Sequence, residues 1–229
     1  MPARSYGSKY CPVARTLELV GERWTLLIVR ELLVGPMRFT DLHAALEGIP
    51  RNLLSDRLRD LEAHGVVARR DLPPPAARSV YELTPAGREL MPVIGDLARW
   101  GLQHLAPPRP DEPVSPAMAV LAGLVAHVRL PVPRSGVKAY RLEVDGRSVD
   151  VRLAGGSIGF EPSGAEPELV VSVPAAVLLR LRVGAESPAG AVAAGRLRFT
   201  PDDPARIAGF LDRFNLPPLA STGPATKEP

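Results

Sequence analysis

Apolar residues recur at helical spacing through the first part of the chain. Val13, Leu17 and Val20 form one stripe, closed by Gly21. Trp24, Leu27, Ile28 and Leu32 form a second, which stops at Gly35-Pro36. Thr40 is expected to cap a short helix carrying Leu42, Ala45 and Leu46. The turn Gly48-Ile49-Pro50 leads into a fourth helix, from about Pro50 to His64, with Gly65 as its stop. The period then changes. Val66 to Arg70 and Ser79 to Leu83 read as two strands, joined through the proline-rich stretch Leu72 to Ala77 as a hairpin. Thr84-Pro85-Ala86-Gly87 begins a long helix bearing Leu90, Val93, Ile94, Leu97 and Trp100.

The second part mixes the two periods. Ser115 to Arg129 reads as a helix. Tyr140 to Val144 and Ser148 to Leu153 alternate polar and apolar residues around Asp145-Gly146, a strong hairpin signal. Ser157 to Glu161, Glu168 to Val173 and Arg196 to Thr200 read as further strands. Pro174 to Arg182 and Asp202 to Phe214 read as helices. The expected fold class is α+β, with a mostly antiparallel sheet in this second domain. Four prolines between Ala106 and Pro113 favour an extended spacer. The expected organisation is therefore a domain over residues 1–106, a linker over 107–114, a second domain over 115–216 and a disordered tail over 217–229.

Composition narrows the function classes. Hydrophobic residues make up 45% of the 229-residue chain and charged residues 23%, a globular balance. No apolar run approaches the roughly 20 residues of a membrane helix. Met1 to Tyr10 has no apolar core ahead of a cleavage site, so the cytoplasm is the expected compartment. The one cysteine excludes an internal disulfide and a multi-thiolate metal site. A net charge of +3 is spread evenly over both halves, so a case for nucleic acid must rest on where the arginines stand.

They stand suggestively. Leu54, Leu58 and Leu61 share one face of the fourth helix, while Arg51, Asn52, Ser55, Asp56 and Arg59 lie opposite. Arginine matches guanine and asparagine matches adenine in a major groove, which admits a helix. Arg69, Arg70 and Arg78 flank the hairpin, where phosphate or minor-groove contact is expected. Helices followed by a two-stranded hairpin give the order of a winged helix-turn-helix domain. Chemistry points elsewhere from catalysis. There is no glycine-rich phosphate loop, nucleophile elbow or helical metal motif, so no catalytic residue, metal or cofactor is expected. His43, His64, His104 and His127 are too scattered for a local ligand pair. Asp202-Asp203 sits where a helix begins and suits its dipole.

Cys11-Pro12-Val13, Gly21-Glu22-Arg23-Trp24-Thr25, Arg38-Phe39-Thr40-Asp41-Leu42 and Leu58-Arg59-Asp60-Leu61 resemble the HxlR-type winged-helix transcription regulators. So do Gly65-Val66-Val67, Tyr81-Glu82-Leu83-Thr84-Pro85-Ala86-Gly87 and Trp100-Gly101, over roughly residues 8–105. The resemblance implies a homodimer, joined through the long helix and the N-terminal segment, that binds pseudo-palindromic double-stranded DNA. It adds Arg38 and Thr40 to the expected DNA contacts, beside Arg51, Asn52, Ser55, Arg59, Arg70 and Arg78. Pro73-Pro74-Pro75 at the wing tip is a departure. Cys11, at a helix start that favours thiolate, has two readings: a sensor of oxidants, as in some such regulators, or a small residue at a dimer contact.

Leu169-Val170-Val171-Ser172-Val173-Pro174, Leu178-Leu179 and Ala194 to Phe199 resemble the sterol-carrier-protein-type domain, over roughly residues 115–215. That resemblance implies a five-stranded sheet with helices over one face and an apolar tunnel. Leu153, Ile158, Val171, Leu178 and Phe199 are the expected walls. The apolar alternation itself equally suits a closed core or a dimerisation platform. The functional expectation is a non-enzymatic regulator of transcription, repressing by occupancy, with an apolar small-molecule effector. The alternative is a carrier of hydrophobic molecules whose winged helix serves dimerisation alone.

Overall fold

The computed structural model describes residues 10–73, 78–106, 109, 112–125, 137–160 and 166–219. The chain gathers into two compact units, Met1–Ile94 and Gly95–Pro229. Among the described residues no helix is long and apolar enough to cross a membrane.

The first unit begins with α1 (Pro12–Val20), α2 (Thr25–Leu33), α3 (Phe39–Ala45) and α4 (Arg51–Ala63). Ile28, Val29, Leu32, Leu42, Leu46, Leu54, Leu58 and Leu61 are buried, so α2, α3 and α4 turn apolar faces to the core, whereas of the expected α1 stripe only Val20 is buried and Val13 and Leu17 are exposed. Two local expectations need correction. Thr40 does not cap α3: Arg38 holds the N-cap position, and the Thr40 hydroxyl instead donates to Asp41 Oδ1 at 3.3 Å. Trp24 does not open α2 but precedes it in the left-handed region, at φ 78°.

The wing is β1 (Val67–Leu72) paired antiparallel with β2 (Arg78–Leu83), in register from Val67 opposite Leu83 to Leu72 opposite Arg78. The expected proline-rich tip lies, from Pro74 to Ala77, outside the described residues. Met37 bridges to Tyr81 through both backbone bonds, at 3.0 and 2.7 Å, which lays the segment before α3 on the wing.

The expected long helix from Thr84 is two helices, α5 (Pro85–Arg88) and α6 (Met91–His104). Thr84 does cap α5, accepting from Gly87 N at 3.1 Å. Pro92 explains the break: it has no N–H to give to Arg88, and its ring crowds the preceding turn. Ile94 is buried, whereas Val93, Leu97 and Trp100 are 47%, 54% and 55% exposed.

The second unit contains α7 (Pro116–Gly123), β3 (Val137–Val144), β4 (Arg147–Ala154), β5 (Ser157–Gly159), β6 (Leu169–Ser172), α8 (Ala175–Arg182), α9 (Pro188–Ala193), β7 (Arg198–Thr200) and α10 (Pro204–Arg213). Ser115 and Asp203 cap α7 and α10. The remainder of the helix expected over 115–129, beyond Val125, falls outside the described residues, as does the tail from 220. Asp145 and Gly146 both take positive φ, 46° and 80°, the geometry a two-residue hairpin needs.

The five strands run in the order β5-β4-β3-β6-β7. The sheet is mixed, not mostly antiparallel as expected: β6 pairs parallel with the central strand β3. The reason is the return path. β4 and β5 follow β3 through tight turns on one side, and β6 then reaches the free side of β3 through a longer connection, which permits a parallel pairing. Tyr140, Leu142, Val144, Val149, Val151, Leu153, Leu169 and Val171 are buried and alternate with more exposed positions, polar except for Val170. The alternate positions carry the Arg141–Asp150 pair at 2.7 Å and the Ser172–Glu143 bond at 2.6 Å. The hydrogen bond to Asp150, and then the charge of that carboxylate, raise the Arg141 guanidinium above its usual range.

Arg182, at the end of α8, ties three helix ends together. Its guanidinium donates to Gly123 O at 2.8 and 2.6 Å, to Asn215 O at 2.8 Å and to Phe214 O. Burial pulls its pKa down to about 10. The carbonyls at the ends of α7 and α10, the negative poles of their helices, offset that burial.

Candidate nucleic-acid interface

Helix α4 is positioned from both sides. Gly48, at φ 88°, turns the chain after α3, and buried Ile49 anchors the turn. Pro50 then takes the N-cap position with extended backbone, which its ring favours. Leu54, Leu58 and Leu61 lock one face of α4 into the core. The same period therefore turns Arg51, Asn52, Asp56 and Arg59 outward, with Ser55 half-buried at the edge.

The expected contact residues fall into two electrostatic groups. Among the described residues Arg38, Arg51, Asn52 and Arg78 have no side-chain partner, so their donors are available to a ligand. Arg59 is paired with Asp56 at 3.1 Å, one turn back on α4. Arg70 crosses the wing to Glu82 at 3.0 Å, and Arg69 donates to Ser79 Oγ at 2.9 Å, whose hydroxyl donates in turn to Asp71. The wing thus carries one unpaired arginine, Arg78, beside two engaged ones. Thr40 is exposed on α3.

Sequence reasoning passed over Arg57. It sits on α4 between the core face and the outer face, and its guanidinium reaches Glu22 at 3.1 Å and Asp60 at 3.4 Å. The Asp60 pair follows from helical spacing. The Glu22 pair joins residues far apart in the chain and leaves no local signal.

Cys11 is exposed at the N-cap position of α1. Among the described residues no cluster of three or more His, Cys, Asp or Glu could hold a metal. His64 and His104 each lie against a carbonyl one turn back, Asp60 O at 2.7 Å and Trp100 O at 2.9 Å. His127 lies outside the described residues.

Four of the expected apolar walls in the second unit share one face of the sheet, and the fifth, Leu178, is on α8. Leu153 stands opposite Ile158, and Val171 opposite Phe199. Leu153, Val171 and Leu178 are buried, and Ile158 and Phe199 are half-buried. Phe199, Phe210, Phe214 and Tyr140 form an aromatic cluster with centroids 5.0 to 6.3 Å apart.

Helices α2 to α4 followed by the β1–β2 wing define a winged helix-turn-helix module. The family model described as HxlR-like helix-turn-helix matches residues 19–109. The uncharacterized HTH-type transcriptional regulator YvaP of Bacillus subtilis is 37% identical over 101 residues, 44% of this chain and 94% of YvaP. Another uncharacterized HTH-type transcriptional regulator, Mb3122 of Mycobacterium bovis, is 50% identical over 101 residues, which cover 62% of its own length. The reduced form of the regulator YodB from B. subtilis has a solved structure at 31% identity and TM-score 0.39, over 44% of this chain and 100% of that one. The chain belongs to the HxlR-like helix-turn-helix family through its first hundred or so residues.

Proposed function

We propose that this chain is a cytoplasmic transcription regulator that binds pseudo-palindromic operator DNA as a homodimer and represses by occupancy. The observation that carries the reading is the outer face of α4. Its inner leucines are fixed in the core, and Arg51 and Asn52 project from its first turn without partners. In a major groove, the N-terminal part of such a helix meets base edges, and these two side chains suit guanine and adenine. Arg78 on the wing and Arg38 before α3 supply cations for phosphates, with Thr40, Ser55, Arg59 and Arg70 as further contacts. The family's relatives carry the name of transcriptional regulators, which agrees. Unpaired arginines on both α4 and the wing weigh against a module kept for dimerisation alone.

The exposed side chains Val93, Leu97 and Trp100 recur at helical spacing on α6, and Val13 and Leu17 do so on α1. Apolar stripes of this kind favour a second copy as their cover. The second unit is read as a sterol-carrier-type domain whose apolar sheet face, with Leu153, Ile158, Val171 and Phe199, holds an elongated apolar effector together with Leu178 of α8. Cys11 is the candidate for redox control of the same dimer.

Selection of genomic fragments by the purified chain tests the reading. Recovery of a two-fold symmetric sequence, bound far more tightly than a scrambled duplex, is the expected result. Equal binding of all fragments would contradict it. Native mass spectrometry of the gently purified chain is expected to show a carried apolar molecule, and a bare chain mass would remove the effector.

A further inference from the structure

The turn between α1 and α2, Gly21 to Trp24, braces α4 at two points. At the first, Glu22 pairs with Arg57 in the middle of α4, at 3.1 Å. At the second, the indole of Trp24 reaches the turn that launches α4: its Cη2 lies 3.9 Å from where a Cβ on Gly48 would sit. Gly48 is two residues before Pro50, the N-cap of α4. The brace therefore pairs with the middle of the helix that carries Arg51, Asn52 and Ser55 and lies close to the turn that leads into its start.

Two kinds of feature at this turn are costly for a mere connection. Trp24 holds a left-handed φ of 78°, which bulky residues rarely adopt, although Arg23, over its ring at 5.3 Å, offsets part of that cost. Next to it, the buried Thr25 Oγ1 has no hydrogen-bond partner among the described residues, and neither has Arg57 Nε. Such costs persist where the surroundings over-determine a conformation. The pair itself is too exposed to explain them as stability, since Glu22 is half in water.

We propose that Glu22 and Trp24 are positioning residues for α4, acting through Arg57 and Gly48 to fix the angle at which its reading face enters a groove. The proposal rests on the DNA reading given above. Base discrimination depends on placing a bidentate side chain to within a fraction of an ångström, whereas phosphate affinity tolerates displacement. A brace of this kind therefore governs discrimination more than affinity.

The sign of one substitution separates position from charge. Glu22→Gln removes an acid close to the duplex, and charge alone would tighten binding to every sequence equally. A positioning role instead lowers the ratio of affinities for a selected duplex over a scrambled one. The probe is the duplex ranked first when the wild-type chain selects from a random pool, with its scrambled version as competitor. The ratio is expected to fall roughly threefold to tenfold for Glu22→Gln and for Arg57→Gln, and no further in the double variant. Arg57→Lys, which keeps a cation for Glu22, is expected to recover most of the ratio, and Trp24→Leu to lose it. A Glu22→Gln chain that tightens on both duplexes and keeps its ratio overturns the proposal and leaves the DNA reading standing. A wild-type chain that does not discriminate overturns the DNA reading itself.

Discussion

A methyl group on Gly87 would lie 2.1 Å from the carbonyl oxygen of Val66, closer than any carbon can sit. Gly87 is in α5, and Val66 precedes the first strand of the wing. Thr84 closes the same junction, with its hydroxyl donating to Gly65 O at 2.6 Å and its N–H bonding Val66 O at 3.1 Å. The root of the wing is thus held by backbone approach, and only glycine permits it.

Gly87→Ala is accordingly expected to cost about 1–3 kcal/mol, the range for forced overpacking. Urea denaturation measures it. A variant as stable as the wild type would mean that the junction yields without strain.

Much of this arrangement was legible in the sequence, for identifiable reasons. The face of α4 was readable because Leu54, Leu58 and Leu61 repeat with the helix and leave the arginines on the other side. The Asp145-Gly146 turn was readable because its residue types suit positive φ. Trp24 misled because its side chain continues an apolar stripe while its backbone leaves the helix, and composition carries no sign of that. The apolar spacing of Leu90, Val93, Ile94, Leu97 and Trp100 runs straight through Pro92, so spacing alone does not show the break. The parallel β3–β6 pairing and the Glu22–Arg57 brace join distant residues, so no local pattern announces them. The carbonyls that Arg182 gathers at the ends of α7 and α10 are equally non-local.

Leu97→Glu places a charge in the exposed stripe of α6. Because Leu97 lies 54% exposed in the single chain, the change is expected to leave thermal stability of the isolated chain within about 0.5 kcal/mol. It is expected to convert a particle of about twice 24.5 kDa to one of 24.5 kDa by light scattering. A wild-type mass already near one chain would contradict the dimer.

Arg182→Met keeps the aliphatic packing but removes the donors that satisfy Gly123 O, Phe214 O and Asn215 O. Leaving the carbonyls of buried Gly123 and Phe214 without this donor is expected to cost about 1–3 kcal/mol, while at exposed Asn215 water replaces it. Calorimetry of the Arg182→Met and Arg182→Lys variants measures the loss, and Lys is expected to recover only part of it. Full stability in the Met variant would show that the carbonyls find other partners.

Tyr140 supplies a pH signature for the second unit. Burial first, then the charge of Glu168, push its phenol above the usual 10.0, against a smaller pull from Arg213. The folded chain therefore holds this proton more tightly than the unfolded chain. Its contribution to stability is complete below pH 10.0 and is lost as pH rises through the higher folded value. Absorbance titration of phenolate is expected to show a late component that Tyr140→Phe removes. Ionisation at or below the usual value would contradict the burial of this side chain.

If α4 reads bases while the wing holds the backbone, affinity measured against salt and sequence separates the two roles. Arg51→Ala is expected to weaken the selected duplex by about 1–3 kcal/mol and to relax preference at one base pair. Arg78→Ala is expected to weaken all duplexes about equally and to reduce the salt slope by about 1. Arg70→Ala is expected to do less than Arg78→Ala, because Glu82 already engages Arg70. Altered base preference from Arg78→Ala, with uniform weakening from Arg51→Ala, would show that the wing reads bases and α4 does not.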